Sequence, residues 1–358
     1  MDMGIAARGR LYPKDRRLAR GAAVLMTLAL AAAGACLPKS QTGSRPGGQR
    51  NITIYAFSVM KEVMDNGVLP GFAAKWKREH GEDVKFTASY AGSETITNQI
   101  LQGVGAQVGI FSIERDVERL SKAGAVTSNW KAMPFGGIVN KTPFIILVRK
   151  GNPKGIRDFA DLGRPGVKLI HPDPDGSGGA QWSILAIYGS ELKKSQAETG
   201  GVDQARALQL LKSVWGRVFS TPDSARAART QFETGYGDAL ITYELEGLQM
   251  KQAGAGVEIV VPRATIFSEH PAAVIDRNVA PDDRPLVDAF MQYLWDDEAQ
   301  RAFVKYNFRA VTHEEFNEAN PGLAHIELPF TVELFGGWDR AYPEVIDGVW
   351  RNQVKKKP

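Results

Sequence analysis

The sequence predicts an α/β protein built on mostly parallel sheets, for three reasons. Short apolar or alternating runs of strand length recur from residue 51 onward, and segments with helical spacing separate them. That alternation sets parallel strands side by side under covering helices. With 358 residues, 43% hydrophobic and 23% charged, the chain has the composition of a folded protein and the length of two domains or one two-lobed unit. It also lacks self-similarity at a period of roughly 20–50 residues, which excludes a solenoid.

The elements follow in chain order. Ile52–Phe57 reads as a strand, and residues 61–80 carry Val63, Met64, Leu69, Phe72, Ala73 and Trp76 at helical spacing around Pro70. Val84–Ser89 alternates as a strand, and Ser93–Gly103 follows as a helix with Ile96, Ile100 and Leu101 inward. Val108–Phe111 is a strand and Ile113–Ala123 a helix. Phe144–Val148 reads as a buried strand, Phe159–Leu162 as a helical turn and Val167–Ile170 as another strand. A long helix runs from Gly178 to about Leu192, and residues 203–215 form an amphipathic one. Ala239–Tyr243 and Val257–Val261 are strands, and Asp283–Tyr306 is mostly helical. Two extended stretches, 143–149 and 257–264, are suited to crossing between lobes. They imply lobe one from residues 51–143 plus 264–350, lobe two from 144–263, and a basic tail over 351–358.

The first 35 residues differ from the rest. They carry the whole formal charge of +4, so the chain from Cys36 onward is net neutral. A nucleic-acid partner, which requires a basic stripe on the folded domain, loses its support. Basic residues Arg8 to Arg20 precede the apolar run Ala22–Leu30 and the small residues Ala33-Gly34-Ala35. That is the anatomy of a secretory signal peptide over 1–35. The run is shorter than the ~20 residues a membrane-spanning helix needs. Cys36, the single cysteine, stands where a bacterial lipoprotein carries its lipid, which predicts an exported periplasmic or cell-surface protein anchored there. Residues 36–50, rich in Ser, Gly, Pro and Gln, read as a flexible tether. One cysteine also excludes a disulfide framework and a thiolate metal site. The five histidines lack ligand spacing, and neither a metal motif nor a Walker A sequence is present, so no cofactor is expected.

Two strand-to-helix turns have the chemistry of anion sites: Ser89–Thr95, around Gly92-Ser93, and Pro172–Ala180, around Ser177-Gly178-Gly179. A helix N-terminus exposes unpaired N–H groups and the positive end of the helix dipole. Glycine lets an oxyanion approach the backbone there, and serine adds a hydroxyl donor. Two such turns facing one cleft would hold a small tetrahedral anion without a cationic side chain. Asp175-Gly176-Ser177-Gly178-Gly179 also resembles a protease nucleophile motif with Asp and Gly exchanged. It lacks the Gly two residues before Ser of a nucleophile elbow. An exported serine hydrolase using Ser177 is the competing reading from another class.

Several segments in the same order carry a resemblance. Val148-Arg149-Lys150-Gly151-Asn152-Pro153-Lys154, Asp161-Leu162 with Pro165-Gly166-Val167, Ser177-Gly178-Gly179-Ala180-Gln181-Trp182, Gly237-Asp238-Ala239-Leu240-Ile241 and Phe335-Gly336-Gly337-Trp338 resemble the periplasmic sulfate/thiosulfate-binding proteins of ABC transporters. The likeness runs from about Ile52 to the C-terminal region. It implies a two-lobed type II periplasmic-binding-protein fold with the ligand cleft between the lobes. By motif, Ser177 would donate its hydroxyl, Gly178, Gly179 and Ala225 their backbone N–H groups, and Ser93 would donate from the first helix start. Ser58 falls where the family usually has an aspartate acting through its backbone N–H. Tyr243 falls where it usually has a tryptophan indole, so an O–H that can also accept replaces a donor-only N–H. Fully ionised sulfate needs only donors, and none of these contacts is a carboxylate. The resemblance thus implies a non-enzymatic, monomeric binding protein that delivers sulfate or thiosulfate to a membrane permease. Molybdate, tungstate or phosphate is the alternative cargo within the same class.

Overall fold

The computed structural model describes residues 50–355. The expected signal peptide, Cys36 and all but the last residue of the expected tether lie outside them, as do residues 356–358. Ten strands form: β1 Arg50–Phe57, β2 Val84–Ala91, β3 Val108–Ile110, β4 Ile138–Arg149, β5 Leu169–Ile170, β6 Val218–Ser220, β7 Ala239–Tyr243, β8 Val257–Val260, β9 Ala264–Val274 and β10 Leu328–Phe330. β2, β1 and β3 pair in parallel, in that order, and β9 joins β3 antiparallel. β6, β5 and β7 likewise run parallel, and β4 joins β7 antiparallel with β8 on its other side. Each group is therefore a strand–helix layer with one reversed strand.

β4 and β9 connect the two groups. Residues 138–143 of β4 pair with residues 267–271 of β9. Residues 144–148 of the same strand pair with β7, and 146–149 with β8. This is the two-lobed type II architecture, and the long reversed strands pass from one lobe to the other. The sequence reading takes only 144–148 as strand and leaves β9 unassigned, for a physical reason. β9 is interrupted by polar side chains, three of which find partners across the ladder. The hydroxyls of Thr265 and Ser268 donate to the carbonyls of Phe144 and Thr142, both at 2.8 Å. His270 Nδ1 lies 2.6 Å from Asn140 Oδ1. Pro271, which has no N–H for the ladder, sits where the register shifts between Ile138 and Asn140.

The expected helices form, with shifted ends. Ser93–Leu101 and Glu114–Lys122 follow β2 and β3. The helix expected to end near Leu192 runs Gly178–Thr199 and stops at Gly200, whose φ of 77° suits a left-handed cap. Burial all round its first four turns hides any amphipathic stripe, so periodicity alone could not bound it. Residues 283–306 divide into Arg284–Tyr293 and Asp297–Lys305. Where the sequence reads a basic tail from 351, a wide helical segment Tyr342–Val354 continues instead. Trp350 packs edge-on against Trp215 with ring centroids 5.1 Å apart, and Arg351 and Lys355 both pair with Asp175.

Candidate functional site

All six parallel strands point their C-terminal ends toward one region, where open α/β sheets place ligands. Ser58 follows β1, Gly92-Ser93 follow β2, and Ser112 follows β3. From the other lobe come the 171–179 turn after β5, Ser224-Ala225 after β6, and Tyr243 at the end of β7. Three helices begin there: Ser93–Leu101, Gly178–Thr199 and Ala225–Glu233. The amides of their first residues have no carbonyl one turn back within the helix. The helix dipoles add partial positive charge at the same ends.

The turns touch across the cleft. A Cβ on Gly178 would stand 2.8 Å from the Ser112 Cβ and 3.2 Å from the Ser93 Cβ. One on Gly179 would stand 2.7 Å from the Tyr243 hydroxyl, and one on Gly92 only 2.3 Å from the Gly176 carbonyl. Glycine at these positions is therefore a condition for approach. Ser177 caps its helix by accepting from the Ala180 N–H at 3.3 Å, which leaves its own proton free to donate outward. Ser224 caps the Ala225 helix in the same way. Ser58 opens a short helical turn packed against the Ala225 helix. The seven residues singled out from the sequence (Ser58, Ser93, Ser177, Gly178, Gly179, Ala225 and Tyr243) thus lie around one cleft, and each is at most 8% exposed where a side chain allows the measure.

Sequence reasoning missed three residues. Ser112 is the single residue between the strand and the helix that the sequence predicts at 108–123, and that position was its only signal. Asp116 is fully buried and accepts the Ser93 hydroxyl proton, so a carboxylate does stand directly behind one of the expected donors. Burial and the neighbouring Glu94 carboxylate push it up to about 7, against the Ser93 hydrogen bond and the Arg119 and Arg115 guanidiniums. Gln181 donates to Glu94 Oε1 at 3.2 Å and so joins the two lobes.

The neighbouring cations are already paired. Arg226, next to Ala225, bonds Glu62 at 2.7 Å and the buried Glu246 at 2.8 Å. Arg115 and Arg119 bond Glu94. An anion here would therefore meet amides and hydroxyls. Among the described residues Ser177 is not hydrogen-bonded to a histidine. His171, lowered to about 4 by burial, bonds the Pro172 carbonyl through Nδ1 and Ser183 through Nε2. Among the described residues no group of His, Cys, Asp and Glu could hold a metal ion.

Comparison with known proteins agrees with this architecture. Residues 52–309 match the family model described as bacterial extracellular solute-binding protein. The chain belongs to that family. This solute-binding protein is 32% identical to a sulfate-binding protein of Synechococcus elongatus over 95% of its own length and 97% of the relative's. It is 34% identical to a thiosulfate-binding protein of Escherichia coli, over 77% of this chain and 81% of that one. Among solved structures, it superimposes on the sulfate-binding protein SubI from Mycobacterium tuberculosis with a TM-score of 0.75 and 30% identity, covering 83% of this chain and 99% of the other. The solute-binding protein is accordingly exported, and no helix among its described residues is long and apolar enough to cross a membrane.

Proposed function

We propose that this protein captures sulfate or thiosulfate in the interlobe cleft and delivers it to the permease of an ABC importer. One observation carries the reading. The Gly178–Thr199 helix start meets Ser93, Ser112 and Tyr243 at one point, while the flanking arginines are paired to carboxylates. A buried dianion must be matched by hydrogen bonds, and this set consists of donors and helix dipoles. In this reading the backbone N–H groups of Ser58, Gly178, Gly179 and Ala225 bind the anion. Ser177 adds its hydroxyl, Ser93 its helix-start amide, and Tyr243 its phenol. The names of the relatives supply the cargo class, sulfate and thiosulfate.

The lobes that close on the anion comprise roughly 51–143 with 264–350, and 144–263, because β4 and β9 carry the chain between the two strand groups. The protein works as a monomer tethered through lipid on Cys36. Calorimetric titration of residues 37–358 with sulfate, thiosulfate, molybdate, tungstate and phosphate tests the cargo. Sulfate or thiosulfate is expected to bind tightest, and preference for any of the others would refute the assignment. Cys36→Ala is expected to move the protein from the membrane fraction to the soluble one. Identical fractionation of both forms would refute the anchor.

A further inference from the structure

Ser112 has all three of its polar groups engaged, each by a different part of the cleft. Its N–H donates to Ser93 Oγ at 2.9 Å, within its own lobe. Its carbonyl accepts from the Trp182 indole N–H at 2.6 Å, and its hydroxyl lies 2.8 Å from the Tyr243 hydroxyl. Trp182 and Tyr243 both belong to the opposite lobe. Ser112 and Tyr243 are each 1% exposed, so bulk solvent does not reach these bonds. The pair also lies against the first two residues of the Gly178 helix. A Cβ on Gly178 would be 2.9 Å from Ser112 Oγ, and one on Gly179 2.7 Å from Tyr243 Oη.

We infer that Ser112 is a binding determinant joined to Tyr243, and that the two hydroxyls act as one unit that presents a single proton to the anion. Two hydroxyls hold two protons, and their mutual bond uses one of them. The remaining proton is buried beside Gly178 and Gly179, at the start of the helix, where the anion is its acceptor. Burial raises the Tyr243 phenol above its usual range, so that proton is retained throughout the neutral range. The mutual bond spans the lobes, so it forms as the cleft closes and aims the free proton only then. Ser112 is thus a positioning residue whose effect passes through Tyr243. This inference rests on the proposed sulfate-binding function.

A double-mutant cycle of Ser112→Ala and Tyr243→Phe tests it, with sulfate titrated calorimetrically into each form. Each single change is expected to weaken sulfate binding roughly ten- to a hundredfold, the effect of one hydrogen bond to a charged group. The double variant is expected to bind about as well as the weaker single, because both singles disable the same donor. Anion-free melting temperatures should stay near wild type while the sulfate-induced rise shrinks in all three. Ser112→Cys, nearly isosteric with a weak S–H donor, should fall between wild type and Ser112→Ala, and it completes the cycle if the alanine form does not fold. Sulfate affinity within twofold of wild type in Ser112→Ala would overturn the inference, as would single effects that multiply in the double variant. A wild-type protein that binds no sulfate would overturn the proposed function together with it.

Discussion

Gly178→Ala separates binding from folding, and its effect can be worked from the geometry. The new methyl carbon would lie 2.8 Å from the Ser112 Cβ, about 0.6 Å inside the 3.4 Å lower edge of ordinary contact. Both carbons are fixed to backbone, so rotamer change cannot relieve the overlap. The Ser93 Cβ, at 3.2 Å, closes a second direction. Inserting a methyl into a packed site costs about 1–3 kcal/mol. Ser112 and Ser93 stand on one lobe and Gly178 on the other, so opening the cleft removes the clash. The penalty therefore falls on the closed, anion-bound form. At 1.4 kcal/mol per decade it weakens sulfate binding roughly five- to 150-fold. Without anion, alanine is a better helix residue than glycine, so the melting temperature should hold or rise. Gly105→Ala is the control, since nothing lies within 4 Å of its Cβ position. Calorimetry with sulfate and a thermal melt without it read the two quantities. Sulfate affinity within twofold of wild type would refute the reasoning, and so would an anion-free melting point lowered by several degrees.

Three further outcomes are expected. Ser177→Ala removes one donor to a buried charge and the cap on Ala180, and should weaken sulfate binding roughly ten- to a hundredfold; calorimetry showing full affinity would remove Ser177 from the site. His171 and His270, lowered by burial to about 4 and about 3, bind protons in the unfolded chain before the folded one, so their stabilisation is complete above about pH 6.5 and is lost as pH falls toward 4. His171→Gln should accordingly narrow the gap between melting temperatures at pH 7 and pH 4.5, and an unchanged gap would contradict this. Asp116 has the opposite sign: its folded value of about 7 exceeds the ordinary aspartate value of 3.8, so its contribution is full below about pH 4 and is lost as pH rises through 7. Asp116→Asn should raise the melting temperature over wild type more at pH 8 than at pH 5, and equal differences at both would count against a protonated Asp116.

Much of this protein is determined by local sequence. The strand runs at 52–57, 84–89 and 239–243 and the helix starts at Ser93 and Gly178 depend on alternation, helical spacing and capping, which act within a few residues. The glycine–serine turns that follow the strands are legible for the same reason, and so is the anion chemistry that goes with them. Tertiary structure decided what depends on residues far apart in the chain. β9 is a strand because Thr265, Ser268 and His270 find partners on β4, and nothing within its own sequence supplies them. The last helix extends through Val354 because Trp350 meets Trp215 and Asp175 holds Arg351 and Lys355. Ser112 gains its place only when β3 ends opposite Tyr243 and Trp182, and Asp116 acquires its shifted titration only when folding buries it behind Ser93. Hydrogen-bond partners and desolvation are properties of the packed molecule, so the roles that depend on them are not written in the linear sequence.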